Sequence, residues 1–198
     1  MIISGRTSSG KQTFIDTRLA MFPKGNRIVT IEDAAELQLE QVHVVSLETR
    51  PPNRKGEGAV SIRYLLHSSL RMRPDRIIVG ECRGGEALDL LQAMNTGHGG
   101  SMSTVHANTP LESLRRLETL ALFAGEEIPL KFLRAQVASE VQIVIQLQRL
   151  AGRRSVASIA EVLPLTDDGD YSVRELFSYD HKSMLLEKVA DPTFVDRL

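Results

Sequence analysis

The apolar positions of this chain change period several times, and each change marks an element. "MIIS" is a short unbroken apolar run that predicts a buried strand, and "KQTFIDTRLAMF" after it puts Phe14, Ile15, Leu19 and Phe22 near one face of a helix stopped by Pro23 and Gly25. "RIVTIED" predicts a second apolar strand ending in carboxylates. In "VHVVSLE", Val42, Val44 and Ser46 alternate with His43, Val45 and Leu47, the period of a strand. "TRPPNRKGEG" is rich in Pro, Gly and basic residues and predicts an exposed loop. "VSIRYLLHSSLRM" is helical in spacing up to Pro74, and "DRIIVGE" predicts a third apolar strand with a carboxylate at its tip.

Beyond it, "GEALDLLQAMNTG" is an amphipathic helix closed by Gly97, and "GSMSTVHA" predicts a fourth strand. "LESLRRLETLALFAG" and "LKFLRAQVASE" are helical stretches separated by "EEIP". The tail turns to strands, with "VQIVIQLQRL", "SVASIAEVLPL" and "YSVRELFSY" alternating around turns at Gly152 and "DDGD". Strands alternating with helices predict an α/β architecture with a mostly parallel sheet, to which the last strands add a small antiparallel extension.

Composition narrows the function classes. The 198 residues fit one domain, and 24 Lys plus Arg against 25 Asp plus Glu leave a net charge of −1, which offers no electrostatic case for nucleic-acid binding. The single cysteine, Cys82, excludes an internal disulfide, and the apolar runs fall far short of the roughly 20 residues of a membrane span. Without a secretory signal the chain is expected to be cytoplasmic. Met1 is followed at once by an apolar strand, so a fragment or truncated reading frame, its upstream partner domain missing, is the expectation.

Four stretches carry candidate chemistry. In "GRTSSGKQT", Gly5, Ser8, Ser9 and Gly10 are small enough for backbone N–H groups to turn onto phosphates, and Lys11 can reach the β- and γ-phosphates. Gln12 stands where a Mg²⁺-binding hydroxyl belongs; its amide oxygen or the hydroxyl of Thr13 is the remaining ligand there. "IEDAAE" places Glu32, Asp33 and Glu36 at a strand end, where a carboxylate can polarise a water or contact a metal. "RIIVGE" delivers Glu81 on the metal side, with Gly80 in the place of the usual Asp. In "TGHGGSMSTVHANTP", His98 and His106 flank a Gly/Ser/Thr strand, a placement for sensing a γ-phosphate or for structural hydrogen bonds. No third His or Cys clusters with them, which argues against zinc.

Taken in this order, the four stretches resemble the ATPases of the type II and type IV secretion superfamily: a phosphate loop, an acid box in "IEDAAEL", a Walker B region in "LRMRPDRIIVGECRGGEALDLLQAMNTG" and a histidine box in "GHGGSMSTVHANTP". "ETRPPNRKGEGAVSIRYLL" is further similar to the tight-adherence (Flp pilus) branch, and the likeness runs from residue 1 to about residue 178. The resemblance implies that residues 1–198 form the C-terminal RecA-like ATPase domain of a homohexameric motor. ATP and Mg²⁺ would be its cofactors, pilus assembly or protein secretion its output, and an inner-membrane platform protein its partner at the cytoplasmic face. It also implies that Lys11 holds phosphates, Glu32 activates water, Glu81 supports the metal, and His106 with His98 senses the γ-phosphate. Arg50, Arg63, Arg71 and Arg73 resemble arginines facing nucleotide or a neighbouring subunit, with solvated charge as the competing role. The family loop reads GGTGSGKTT, so Arg6 and Ser8 replace glycines here and Gln12 replaces the metal-binding Thr. The alternative implied by those departures is a nucleotide-binding or scaffold subunit with little hydrolysis. A DNA-translocating ATPase is a third reading, disfavoured by the near-neutral charge.

Overall fold

The computed structural model describes residues 1–19, 21–39, 41–150 and 152–193. Its strands are β1 (Ile2–Gly5), β2 (Ile28–Glu32), β3 (Val44–Glu48), β4 (Arg76–Val79), β5 (Met102–Val105), β6 (Ile143–Leu150), β7 (Arg153–Leu163), β8 (Ser172–Asp180) and β9 (Leu185–Lys188). Its helices are α1 (Lys11–Leu19), α2 (Ile62–Ser69), α3 (Glu86–Asn95), α4 (Pro110–Leu122) and α5 (Leu130–Glu140). The chain falls into two compact units: one comprises Met1–Lys11, Val105–Thr119 and Glu127–Leu198, the other Gln12–Thr104 and Leu120–Glu126. The first is called the loop unit below and the second the acid unit.

In the acid unit the strands run in the order β3-β2-β4-β5, and every pairing is parallel. Ile28, Val29, Ile31, Ile77, Ile78 and Val79 are all fully buried. A parallel sheet covered on both faces needs such unbroken apolar runs, which is why these strands are plain in the sequence. Each fully buried aliphatic side chain contributes roughly 1.5–3 kcal/mol. Parallel pairing also sends all the C-terminal ends to one edge, where Glu32 closes β2 and Glu81 follows β4. Helix α2 starts at Ser61, whose Oγ accepts the Tyr64 N–H, and turns Ile62, Leu65 and Leu66 inward. A 3-10 turn over Leu70–Met72 and a left-handed Arg73 (φ 52°) end it before the buried Pro74.

In the loop unit the order is β1-β6-β7-β8-β9. β1 pairs parallel with β6, placing Ser4 opposite Gln146 and Gly5 opposite Leu147, and the pairings β6–β7, β7–β8 and β8–β9 are antiparallel. The register shifts between Gln146 and Leu147.

The sequence reading and the structure differ in three places. Helix α1 ends at Leu19 rather than at Phe22: the N–H groups of Met21 and Phe22 bond back to Arg18 and Leu19 as a turn, and Ala20 lies outside the described residues. The 50–60 stretch is exposed as expected, but a reciprocal backbone bridge between Arg50 and Val60 pins its base. β9 was not expected; all four of its residues are exposed, so no face is buried to impose a period. Among the described residues, no helix is long and apolar enough to cross a membrane.

Candidate functional site

The loop unit holds the phosphate loop up to Lys11. After β1 the chain reverses through a turn closed by the Ser9 N–H on the Arg6 carbonyl, at 3.2 Å. Ser8 (φ 62°) and Gly10 (φ 92°) both adopt left-handed backbone. Ser8 does so at a place where the family pattern carries glycine, at a cost of roughly 1–2 kcal/mol for a residue with a Cβ. Gly5 has no room for a side chain, since a Cβ there would stand 2.5 Å from Ser9 Oγ and 2.9 Å from the Leu147 carbonyl. A Cβ on Gly10 would meet Arg154 Cδ at 2.8 Å, so the stem of this β7 arginine lies against the loop. Nothing in the arginine-rich hairpin sequence singled Arg154 out. Lys11 Nζ donates to the carbonyls of Gly5 (2.9 Å) and Arg6 (3.4 Å) and lies 3.4 Å from Nδ1 of His106, just past the end of β5. Ser9 is 2% exposed and its hydroxyl has no partner among the described residues. A tight turn lined by small residues, with a lysine folded onto its own carbonyls and an unused buried hydroxyl, fits a phosphate group.

The acid unit begins at Gln12, and its centre is Glu32, 5% exposed at the end of β2. Glu32 Oε1 accepts three N–H groups: Gln12 Nε2 at 3.0 Å and the backbone amides of Glu36 and Leu37, both at 3.2 Å. Burial pushes the Glu32 carboxyl above its ordinary range, against the pull of the Glu36 and Leu37 amides and of Gln12. Gly80 has its own reason here: a Cβ on it would stand 3.1 Å from Glu32 Cγ. Glu81 pairs with Arg83 at 2.8 Å, and Arg83 reaches Asp33 at 3.4 Å. Thr13 is exposed on the first turn of α1. Among the described residues, no group of three or more His, Cys, Asp or Glu is placed to hold a metal. Mg²⁺ usually takes only one or two protein oxygens besides water and phosphate, a demand that Gln12 Oε1, Thr13 or Glu81 can meet.

The remaining sequence candidates have other surroundings. His98 precedes β5, at the opposite end of the parallel strands from Glu81, and its Nδ1 lies 3.3 Å from the Ala93 carbonyl at the end of α3. Arg63 forks onto the buried Asp89, with Nε at 2.6 Å and Nη2 at 3.2 Å, and also donates to the Ala124 carbonyl. Arg50 donates from Nε to the Gly58 carbonyl. Arg71 and Arg73 are exposed on the turn after α2. Arg50, Arg63 and Arg83 all line a cavity of about 660 Å³ in the acid unit, together with Asp33 and Thr49. Cys82 is a buried free thiol 3.3 Å from Ser103 Oγ; burial pushes its pKa up to about 12, so it packs as a small apolar residue.

Known proteins match this architecture. The family profile described as "Type II/IV secretion system protein" matches residues 1–176. A putative conjugal transfer protein of Mycobacterium tuberculosis is 45% identical over 160 residues, 80% of this chain and 45% of that protein. The conjugal transfer protein TrbB of Rhizobium radiobacter is 38% identical over 165 residues, 82% of this chain and 48% of its own length. Among solved structures, the VirB11 ATPase of the Brucella suis type IV secretion system, in complex with sulphate, matches with a TM-score of 0.73 at 30% identity, over 81% of this chain and 47% of that one. The chain thus spans about half the length of the curated relatives it matches, and its fold is the RecA-like fold of secretion ATPases.

Proposed function

The chain belongs to the type II/IV secretion system protein family, and on that premise we propose that residues 1–198 are the RecA-like domain of a motor that binds ATP with Mg²⁺ and hydrolyses it. The phosphate loop carries the reading: its left-handed turn at Ser8 and Gly10, its buried unused Ser9 hydroxyl and its folded-back Lys11 form a ready anion cradle. Sulphate, a phosphate-shaped anion, accompanies the related VirB11 structure. In this reading Lys11 leaves its loop carbonyls for the β- and γ-phosphates, and the loop amides take the remaining oxygens. His106, beside Lys11, feels the γ-phosphate through that lysine. Glu32 accepts the proton of the attacking water, a task for which its raised pKa suits it. Glu81 stands on the metal side, and what a bound Mg²⁺ supplies is neutralisation of charge on the β- and γ-oxygens. His98 is assigned to the end of α3 rather than to nucleotide.

The proposed output is protein secretion or pilus assembly, by a homohexamer on the cytoplasmic face of the inner membrane against a platform protein, without nucleic-acid contact. Arg50, at the cavity of the acid unit, is the arginine assigned to a neighbouring subunit. One observation favours a second reading, a ring subunit that binds without turning over: Gln12 fills the place of the metal-binding hydroxyl. Replacing Glu32 with Gln separates the two. If the chain is a hydrolase, phosphate release is abolished and ATP affinity is kept; turnover surviving in this variant contradicts the assignment of the base.

A further inference from the structure

The family pattern makes Gln12 look like a lesion, because its side chain cannot supply a hydroxyl to Mg²⁺. The geometry says otherwise. The Gln12 carboxamide donates from Nε2 to Oε1 of Glu32 at 3.0 Å, a contact between residues 20 apart in sequence. A carboxylate only accepts, so the amide nitrogen is the atom that must face it. With the Glu36 and Leu37 amides, this contact gives Oε1 three donors, and no described residue donates to Oε2. The carboxylate is thereby fixed in rotation, with one oxygen saturated and the other left open. Gly80 completes the clamp by allowing Glu32 Cγ to lie where any other residue's Cβ would crowd it. A threonine at position 12 is too short to reach as far as the glutamine does. The substitution therefore removes a metal-side hydroxyl and adds a held base in the same step.

We propose that Gln12 is a positioning residue for Glu32: its side-chain N–H fixes one carboxylate oxygen so that the other is presented to the attacking water. The altered loop is then a working variant of the family's, and the inference rests on the reading of Glu32 as the base. A hydrogen bond to a charged group is the kind of contact whose loss is felt in orientation rather than in nucleotide affinity, because Gln12 acts through Glu32 and not on the phosphates.

The test uses the full 198-residue chain in four forms: the native protein, Gln12→Met, Gln12→Thr and Glu32→Gln. Phosphate release gives kcat, and calorimetry gives the Kd for ATP. Gln12→Met keeps the length and loses the donor, so kcat should fall roughly tenfold to hundredfold. Its Kd should stay within about threefold of the native value, which also shows that the variant is folded. Gln12→Thr should likewise lower kcat although it restores the family residue. Turnover equal to or above the native value in either Gln12 variant overturns the inference while leaving the hydrolase reading in place. Turnover retained by Glu32→Gln overturns the hydrolase assignment of the base, and the inference with it. A native chain that binds ATP and releases no phosphate also overturns it.

Discussion

At the scale of single residues, Glu32 and Ser8 carry the sharpest expectations. Burial raises the Glu32 pKa, so folding favours its protonated form. Its contribution to stability is therefore complete at low pH and is lost as pH rises through the raised value. In its proposed role as general base Glu32 has the opposite sign, because a base must be ionised to act. Turnover should fall on the acid side at a pH above the ordinary glutamate range, visible as the acid limb of the kcat profile. An acid limb in the ordinary range or below would show that burial does not govern this group. Ser8 sits left-handed at a place where the family has glycine. Ser8→Gly should relieve that strain and, after the added freedom of glycine in the unfolded chain, raise stability by about 0.5–1 kcal/mol in urea titrations. At this scale the sequence offers candidate residues without their partners. Gln12 was visible as a departure from the family loop, but its contact with Glu32 joins residues far apart along the chain and leaves no periodic trace. Gly80, read as a missing acid, is set by the room that Glu32 needs.

At the scale of elements, legibility followed burial. β2 and β4 are mostly apolar because both faces are covered, and the acids that end or follow them fall at one edge because the pairing is parallel. β9 buries nothing and left no pattern. The two histidines of "TGHGGSMSTVHANTP" read as a pair along the chain, yet His98 precedes β5 and His106 follows it. A strand carries its flanks apart, and it is His106 that lies beside Lys11. Arg63 shows the same limit of pattern reading. Its place on α2 was correct, but its charge is engaged by Asp89 on α3, which is buried and also 3.0 Å from His67 Nε2. Arg63→Ala should leave that carboxylate with the exposed His67 as its one remaining cationic partner among the described residues, at a cost of about 2 kcal/mol, below the usual buried-pair value because the guanidinium is partly solvated. Urea unfolding of the variant measures it, and an unchanged midpoint would mean that α2 and α3 do not depend on the fork.

At the scale of the whole molecule, the chain is a family member whose family match ends at Leu176 within β8, and β9 lies beyond it. The buried Glu161 draws that last segment in, accepting Arg174 Nη2 at 2.8 Å and the Thr193 N–H at 3.1 Å, together with the Thr193 hydroxyl. The net charge of −1 offers no electrostatic case for nucleic-acid binding. All of this depends on the loop still holding nucleotide. Calorimetry of ATP binding to the native chain and to Lys11→Ala, each with and without Mg²⁺, tests that most directly. The account predicts micromolar binding by the native chain, strengthened by Mg²⁺ and lost in the variant, whereas no binding by the native chain, or equal binding by both, would contradict it.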